Sequence, residues 1–583
     1  MEWSMNRIWL SNYQKGVPQD INPDIYKSLT DILDPSFKKF ADLPCMTSFG
    51  TTLTYEQVQT QAKQFAAYLQ KDLGHQPGDR IALMMPNTLQ YPICIFGALY
   101  AGLTIVNVNP LYTSRELLHQ LKDSGAKTIV LYTSAGATLQ NILHETQIEH
   151  VITTQIGDAL KFPKNHLINF VLKNVKKMVP NYHLPEETSW KSAISSRSAS
   201  EWTPVEDTKN TDIAFLQYTG GTTGVSKGAI LTHRNMIANL LQARAWLSPV
   251  VQEGKEIIIT ALPLYHIFSL TANCFTFSFI GGHNILITNP KDIPGFIKEL
   301  KNWNFTAITG VNTLFKALMN DPKFMELNFS ALKVSLGGGM AVQKVVAEDW
   351  KQKTNVPLIE AYGLTETSPA ACMNPLNNPE FNGCIGLPIS STEVKILNNE
   401  GHEMALGEVG EICIRGPQVM AGYWEKPEET AKVMTADGFF KTGDLGFMNE
   451  QGFCKIMDRK KDMILISGFN VYPNEIEDVL ATHPKIMDVA AIGVPDERSG
   501  EAIQVFIVKK ESSLTTEEVI KFCRENFVAY KIPKVIVFRE GLPKSNVGKV
   551  LRNNLRQELQ KEAQKSNSDK NINSELQSER KAA

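Results

Sequence analysis

Charge is missing from two long stretches of this 583-residue chain: residues 81–114 and 257–290 contain no Asp, Glu, Lys or Arg. A membrane-spanning helix needs about 20 predominantly apolar residues, and neither stretch supplies them unbroken. Pro86, Asn87, Gln90, Pro92, Asn107, Asn109 and Pro110 interrupt the first. Pro263, His266, Asn273, Gly281, Gly282, His283 and Asn284 interrupt the second. The runs between these breaks, such as Ile81–Met85, Ile93–Leu103 and Ile285–Ile287, suit buried strands and helices of an α/β core. Cysteine is scarce: 8 residues, at 45, 94, 274, 372, 384, 413, 454 and 523, with no C-x-x-C pair. That spacing excludes a disulfide framework and a cysteine zinc site, and predicts a reduced compartment. No sign of charge dominates, with 59 Lys and Arg against 61 Asp and Glu, which argues against a polybasic nucleic-acid binder. The first residues, Met1 to Arg7, lack an apolar signal core, so a cytoplasmic location is expected. Hydrophobic residues reach 43%, enough to exclude wholesale disorder.

From Tyr55 to about Val151, amphipathic runs alternate with short β-rich runs. Val58–Leu69 and Ser114–Leu121 predict helices, and Arg80–Met85 and Lys127–Tyr132 predict strands. Further strands are predicted over Glu256–Ala261, Asn284–Ile287, Thr306–Thr309 and Lys333–Leu336. The pattern is that of an α/β protein with helix-wrapped sheets. Short strands and Gly-centred turns from about 391 to 457 predict a small β-rich subdomain. The charged cluster Asp458-Arg459-Lys460-Lys461-Asp462 then marks a boundary. The expected organisation is a large domain over 1–457, a hinge at 458–462, a mobile α+β domain over 463–560 and a disordered tail over 561–583. Residues 161–179 form a basic amphipathic stretch in which Phe170, Val171, Val175, Met178 and Val179 oppose Lys173, Lys176 and Lys177. It suits either a surface helix docked on its own domain or contact with an anionic membrane face.

The densest chemical signal is Tyr218-Thr-Gly-Gly-Thr-Thr-Gly-Val-Ser-Lys-Gly228, directly after the apolar run Ile213–Leu216. Glycines let backbone N–H groups turn toward an anion, the threonines add hydroxyl donors, and Lys227 adds a point charge. It is not a Walker A loop, because Ser226 and Gly228 flank Lys227 where that motif needs Gly and Ser/Thr. Tyr362-Gly-Leu-Thr-Glu-Thr-Ser-Pro369 sets a hydroxyl and a carboxylate side by side. Thr365 can donate to a phosphate oxygen, and Glu366 can hold a magnesium ion, which takes one or two carboxylates beside phosphates and water. Lys441-Thr-Gly-Asp-Leu445 puts Asp444 on a tight turn, where it can accept both hydroxyls of a ribose. Taken singly, the last two motifs are also common structural turns.

Together with Asp458–Asp462 and Pro543-Lys-Ser-Asn-Val-Gly-Lys549, these motifs occur in an order that resembles the adenylate-forming superfamily of acyl-CoA synthetases, luciferase and peptide-synthetase adenylation domains. The likeness runs from about Tyr55 to Glu558. Segments 109–117, 216–224 and 462–479 bring it nearest to bacterial long-chain fatty-acid–CoA ligases. The resemblance implies ATP, Mg2+ and coenzyme A as reactants, and a fatty acid as the acid activated. It places the β- and γ-phosphates on Thr219, Gly220, Gly221, Thr222, Thr223, Gly224 and Lys227, with Thr365 at the α-phosphate and Glu366 at the metal. Adenine would lie along Gly338, Gly339, Ala361, Tyr362 and Gly363, and the ribose on Asp444 with Arg459. Lys461 would be the hinge and Lys549 the adenylation lysine. Ser467, Gly468 and Phe469 would border the coenzyme A tunnel. His266 would stand at the mouth of an acyl pocket formed by Ile267, Leu270, Gly310 and Val311, with Gly281, Gly282 and the Val311–Phe315 segment opening its wall. Peptide-synthetase domains carry an Asp at this point to grip an amino group. No acid occurs between Glu256 and Asp292 here, which disfavours an α-amino acid.

An aryl or medium-chain carboxylic acid:CoA ligase is the alternative within the same chemistry. A departure bears on chain length: Phe439-Phe440-Lys441 stands where long-chain enzymes often show Trp-Leu-His. A P-loop phosphotransferase conflicts with the loop sequence, and a non-enzymatic binder would be expected to lack Lys549 or Glu366. No nucleic-acid partner is expected. Peripheral contact with the inner membrane surface is carried as an expectation of residues 161–179, and a homodimer as a further expectation.

Overall fold

The computed structural model describes residues 7–219, 226–545 and 548–562. The expectations for Gly220, Gly221, Thr222, Thr223 and Gly224, and for the tail from 563, lie outside the described residues. The chain divides into two compact units. Of the described residues, the larger contains those up to 442 together with 447–455, and the smaller contains 443–446 and those from 456 to 562.

The larger unit is built on two twisted, mainly parallel sheets. In the first, the strands run in the order Gly422–Tyr423, Gly228–Thr232, Ile213–Tyr218, Thr104–Asn107, Arg80–Met84, Thr128–Tyr132, His150–Thr154 and Thr188–Ser189. In the second, Ile257–Thr260, His283–Leu286, Ala307–Gly310, Val334–Gly337 and Leu358–Gly363 form the parallel centre. These strands are β-branched and mostly buried on both faces, as a sheet covered by helices requires. The helices start where short polar side chains cap them. Thr54 with Gln57, Thr113 with Glu116 and Thr232 with Asn235 form reciprocal capping pairs.

The first uncharged stretch becomes the strand Arg80–Met84, the helix Gln90–Tyr100 and the strand Thr104–Asn107. Every residue of that helix is buried, so its lack of charge reflects enclosure by protein. Among the described residues no helix is long and apolar enough to cross a membrane. Gln90–Tyr100 packs on Tyr55–Lys71 through Gly97, where an added Cβ would lie 2.8 Å from the Ala62 carbonyl oxygen and from the Phe65 ring. The second stretch supplies the strands Ile257–Thr260 and His283–Leu286 and the helical segment between them.

The β-rich segment forms a four-stranded sheet, in the order Glu393–Leu397, Gly410–Arg415, Phe440–Met448 and Cys454–Arg459. It is not self-contained. Gly422–Tyr423 leaves it to pair antiparallel with Gly228–Thr232 of the first large sheet. The smaller unit is α+β. Ile464–Ile466, Gly500–Lys509, Ile486–Asp496 and Val535–Arg539 share a sheet backed by the helices Pro473–Ala481 and Thr516–Asn526. A buried guanidinium ties its parts together. Arg552 donates two hydrogen bonds to Glu477, at 3.0 and 2.7 Å, and others to Asn474 at 2.6 Å and Asp458 at 3.2 Å.

Residues 161–179 depart from the expected amphipathic helix. An α-helix, Lys164–Phe170, passes into a π-turn, Val171–Val175. The face resting on the core is Ile168 and Leu172. Phe170, Val175 and Met178, which would be covered if the apolar face were docked on the domain, are at least half exposed. The helix widens after Phe170, about two turns in, so Val175 and Met178 no longer follow a 3.6-residue wheel.

The helix contact at Gly97 gives a stability prediction. Gly97→Val should destabilise the protein by about 1–3 kcal/mol through overpacking, read as an earlier midpoint in chemical denaturation. An unchanged midpoint would mean the two helices separate freely.

Candidate active site

The loop 219–227 closes an antiparallel pair, Ile213–Tyr218 with Gly228–Thr232, in which Tyr218 faces Gly228. The Thr219 N–H donates to the Lys227 carbonyl at 3.0 Å, fastening the neck of the loop. His119 lies 2.8 Å from the Ser226 carbonyl oxygen and holds its exit. The Lys227 ammonium sits 4.8 Å above the ring of Tyr423 and 2.7 Å from a Glu429 carboxylate oxygen. The Tyr423 hydroxyl in turn donates to Glu366 Oε1 at 2.7 Å. Burial, then the Glu366 charge, push the Tyr423 pKa up, so the phenol stays protonated and donates. One aromatic side chain thus links the loop lysine to the candidate metal carboxylate.

Glu366 lies in a 3-10 turn, Thr365–Thr367, at the end of the strand Leu358–Gly363. Its backbone is fixed by the Met420 N–H, which donates to the Glu366 carbonyl at 2.8 Å. Among the described residues no group of three or more His, Cys, Asp or Glu side chains is arranged to hold a metal ion. A single carboxylate that takes the Tyr423 hydroxyl on one oxygen, beside the Thr365 hydroxyl, fits Mg2+, which draws its remaining ligands from phosphates and water.

The predicted adenine and acyl residues also come together. Val334–Gly337 runs parallel to Leu358–Gly363, and the Gly338 N–H donates to the Gly310 carbonyl at 3.2 Å. A Cβ at residue 338 would stand 3.1 Å from both the Ala361 carbonyl oxygen and the Phe268 ring. Val311 approaches the Cβ direction of Gly339 at 3.7 Å. Tyr362 is buried on the same strand as Ala361 and Gly363. His266 begins the next helical segment, with Nδ1 accepting from the Phe268 N–H at 3.3 Å. Burial lowers its pKa to about 4, so the ring is neutral at ordinary pH. Ile267 and Leu270 are buried beside it. The Gln217 amide donates to the Tyr265 carbonyl at 2.8 Å, and the Thr271 hydroxyl to the Ser368 carbonyl at 2.8 Å. These bonds tie the segment 265–271 to the strand that leads into loop 219–227 and to the residue that follows the Thr365–Thr367 turn. Gly281 and Gly282 do not open the wall: the Phe40 and Phe277 rings occupy the space their side chains would take.

In the smaller unit Arg459 pairs with buried Asp444 at 2.7 Å. Lys549 sits on a turn closed by the Ser545 N–H to the Lys549 carbonyl at 2.7 Å. Loss of solvent and the Arg459 cation together lower its pKa to about 8. Burial chiefly lowers the Lys461 pKa, against the opposing pull of the Asp462 charge. Ser467 and Gly468 form the tip of the hairpin that joins Ile464–Ile466 to Phe469–Val471. Exposed Phe469 stacks on Tyr530 with ring centres 4.7 Å apart.

Residues 33–424 match the model of the AMP-binding enzyme family, and residues 475–549 match that of the AMP-binding enzyme C-terminal domain. The chain belongs to the AMP-binding enzyme family. It is 53% identical to a long-chain-fatty-acid–CoA ligase of Escherichia coli O157:H7, over 95% of this chain and 98% of that one. It is 31% identical to 4-coumarate–CoA ligase 1 of Petroselinum crispum, over 92% of this chain and 95% of that one. Among solved structures, ATP-bound MatB from Rhodopseudomonas palustris is similar with a TM-score of 0.78 and 26% identity, covering 92% of this chain and 99% of that one.

Sequence reasoning missed His119, Tyr423 and Glu429. The first stands alone in a helix. The last two lie in Gly422-Tyr-Trp-Glu-Lys-Pro-Glu-Glu429, where an aromatic pair and clustered acids beside a proline were the only signal.

The neutral imidazole gives a direct test. In a 15N-histidine titration, with His266→Asn to assign the resonance, His266 should stay uncharged from pH 8 down to 5 and take its proton only near pH 4. Titration close to 6.5 would show that the ring is solvated.

Proposed function

We propose that this chain is an AMP-forming ligase that activates a long-chain fatty acid with ATP and passes the acyl group to coenzyme A. The observation that carries the reading is the Lys227–Tyr423–Glu366 linkage standing beside an acid-free wall built from residues 266–270. The 53% identity to a long-chain-fatty-acid–CoA ligase, against 31% to the coumarate ligase, supports the alkyl substrate over an aryl one.

The barrier to the first step is mainly repulsion between a carboxylate and a polyanion, together with positioning. The fatty carboxylate oxygen attacks the α-phosphorus, the bond to the bridging oxygen of the β-phosphate breaks, and pyrophosphate leaves. Lys227 and the loop donors hold the leaving phosphates, and Thr365 donates to the α-phosphate. Glu366 would hold Mg2+, which supplies positive charge to the triphosphate. Neutral His266 can orient the acid by hydrogen bonding without adding charge. Asp444 with Arg459 would hold the ribose, and Lys549 would neutralise charge at the α-phosphate. The acyl-adenylate is a mixed anhydride sensitive to water, so the site must exclude solvent. In the second step the coenzyme A sulfur, having lost its proton, attacks the acyl carbon and AMP departs. We assign Lys461 as the pivot between the two half-reactions, and Ser467, Gly468 and Phe469 to the coenzyme A approach.

Supply of the acid brings in residues 161–179. Phe162, Leu167, Phe170, Val175 and Met178 are each at least half exposed, and Lys161, Lys164, Lys173, Lys176 and Lys177 alternate with them in a sequence that contains no acid. Apolar groups for the acyl boundary and ammoniums for headgroups suit peripheral contact with an anionic bilayer.

Acid-dependent exchange between pyrophosphate and ATP tests the enzyme reading, with a chain-length series and then coenzyme A. Palmitate should support exchange and benzoate should not; no exchange with any carboxylic acid would overturn the assignment. Lys549→Ala should cut adenylation by orders of magnitude while sparing thioester formation from supplied acyl-adenylate. Equal loss in both would refute the alternation. For the native lysine, the ammonium is the active form, so adenylation should decline as pH rises through about 8. Co-sedimentation with vesicles of phosphatidylcholine and phosphatidylglycerol tests the membrane face. Neutralising Lys173, Lys176 and Lys177 together should weaken binding roughly a hundredfold, at about 1 kcal/mol for each lysine. Binding that is unchanged by the substitutions would remove this segment from the role.

A further inference from the structure

The loop lysine is already occupied. Lys227 makes its ion pair with Glu429, a residue that no step above uses. Glu429 is well placed to stay there. It lies on the short helix Pro427–Val433, which is locked to the adjoining strand because the Tyr423 N–H donates to the Thr430 hydroxyl at 2.9 Å. Its second oxygen is held by Lys432 at 2.6 Å. Lys227 and Lys432 hold its carboxyl well below the usual range, to about 2, so it is ionised at any working pH.

We propose that Glu429 is a built-in phosphate substitute that holds Lys227 between turnovers and yields it to an incoming polyphosphate. The inference rests on the reading of residues 219–227 as the polyphosphate loop. A carboxylate carries one charge and a triphosphate several, so a polyphosphate can take the lysine from Glu429 while singly charged anions compete poorly. Once Lys227 has turned away, Lys432 still faces Glu429 and limits its repulsion of the bound phosphates. When pyrophosphate forms, the returning carboxylate competes with it for the same ammonium and favours its release. Glu429 is then a positioning residue, acting on phosphate affinity through Lys227. The bland alternative, in which Glu429 merely holds Lys227 in the right place for ATP, makes the opposite prediction.

The experiment is steady-state kinetics on the full-length enzyme, reading KM for ATP, kcat and the inhibition constant of pyrophosphate. Loss of a partly exposed ion pair is worth up to about 1 kcal/mol. Glu429→Gln should therefore lower KM for ATP about two- to fivefold and tighten pyrophosphate inhibition by a similar factor. Lys432→Gln leaves Glu429 with Lys227 as its main partner, so it should raise KM for ATP. Lys227→Ala should raise KM for ATP and abolish the effect of Glu429→Gln in the double variant. If Glu429→Gln raises KM, or leaves both constants unchanged while Lys227→Ala is impaired, the proposal is overturned. If Lys227→Ala itself leaves KM for ATP unchanged, the polyphosphate reading of the loop fails instead.

Discussion

The space above residue 338 is the constraint on which the larger unit's site depends. A side chain there would meet both the Ala361 carbonyl and the Phe268 ring at 3.1 Å. Only glycine lets the turn after Val334–Gly337 lie against the neighbouring strand and against the segment that begins at His266. That contact sets the candidate nucleotide face and the candidate acyl wall directly against each other. The hydrogen bond from the Gly338 N–H to the Gly310 carbonyl then adds Gly310 and Val311 to the same place. Parallel strands deliver all four segments at their C-terminal ends, where an open α/β sheet leaves room for ligands.

Charge is distributed accordingly. The wall from 266 to 270 is kept neutral by burial, including a histidine whose ring cannot hold a proton at ordinary pH. Ionised groups gather around the loop lysine and the segment 422–432, and there they are paired: Lys227 with Glu429, Lys432 with Glu429, and Lys426 with Asp123 at 2.8 Å. A site that must bind both an alkyl chain and a polyanion needs this separation, because an unpaired charge near the alkyl wall would be costly to desolvate.

Much of this was legible in the sequence because local chemistry imposes it. The capping threonines, the β-branched strands and the order of the Gly/Thr, Thr-Glu-Thr and Gly-Asp motifs all depend on near neighbours in the chain. What was not legible depends on partners far away in sequence. Tyr423 lies in a segment whose texture indicates a separate β-rich subdomain, yet two residues of it return to pair with Gly228–Thr232. Nothing local signals a strand of that length. Gly281 and Gly282 suggested open space because glycine has no side chain, but distant rings fill that space. In residues 161–179 a regular wheel does not encode the π-turn Val171–Val175, and it does not say that Ile168 and Leu172 are the residues that meet the core.

In the smaller unit, Arg552 lies three residues after Lys549 and its guanidinium reaches Asp458, just before the proposed pivot at Lys461. Its bidentate pair with Glu477 fixes it to the helix Pro473–Ala481. Arg556 adds a bond to Asp462 at 2.7 Å. Breaking one partner of such a buried pair strands the other charge, a cost of several kcal/mol. The lysine turn, the helix and the charged cluster therefore resist separate motion. If Lys549 serves only one half-reaction, these bonds carry the helix Pro473–Ala481 and the charged cluster along with it, because moving the lysine turn alone would separate Arg552 from Asp458 and Glu477.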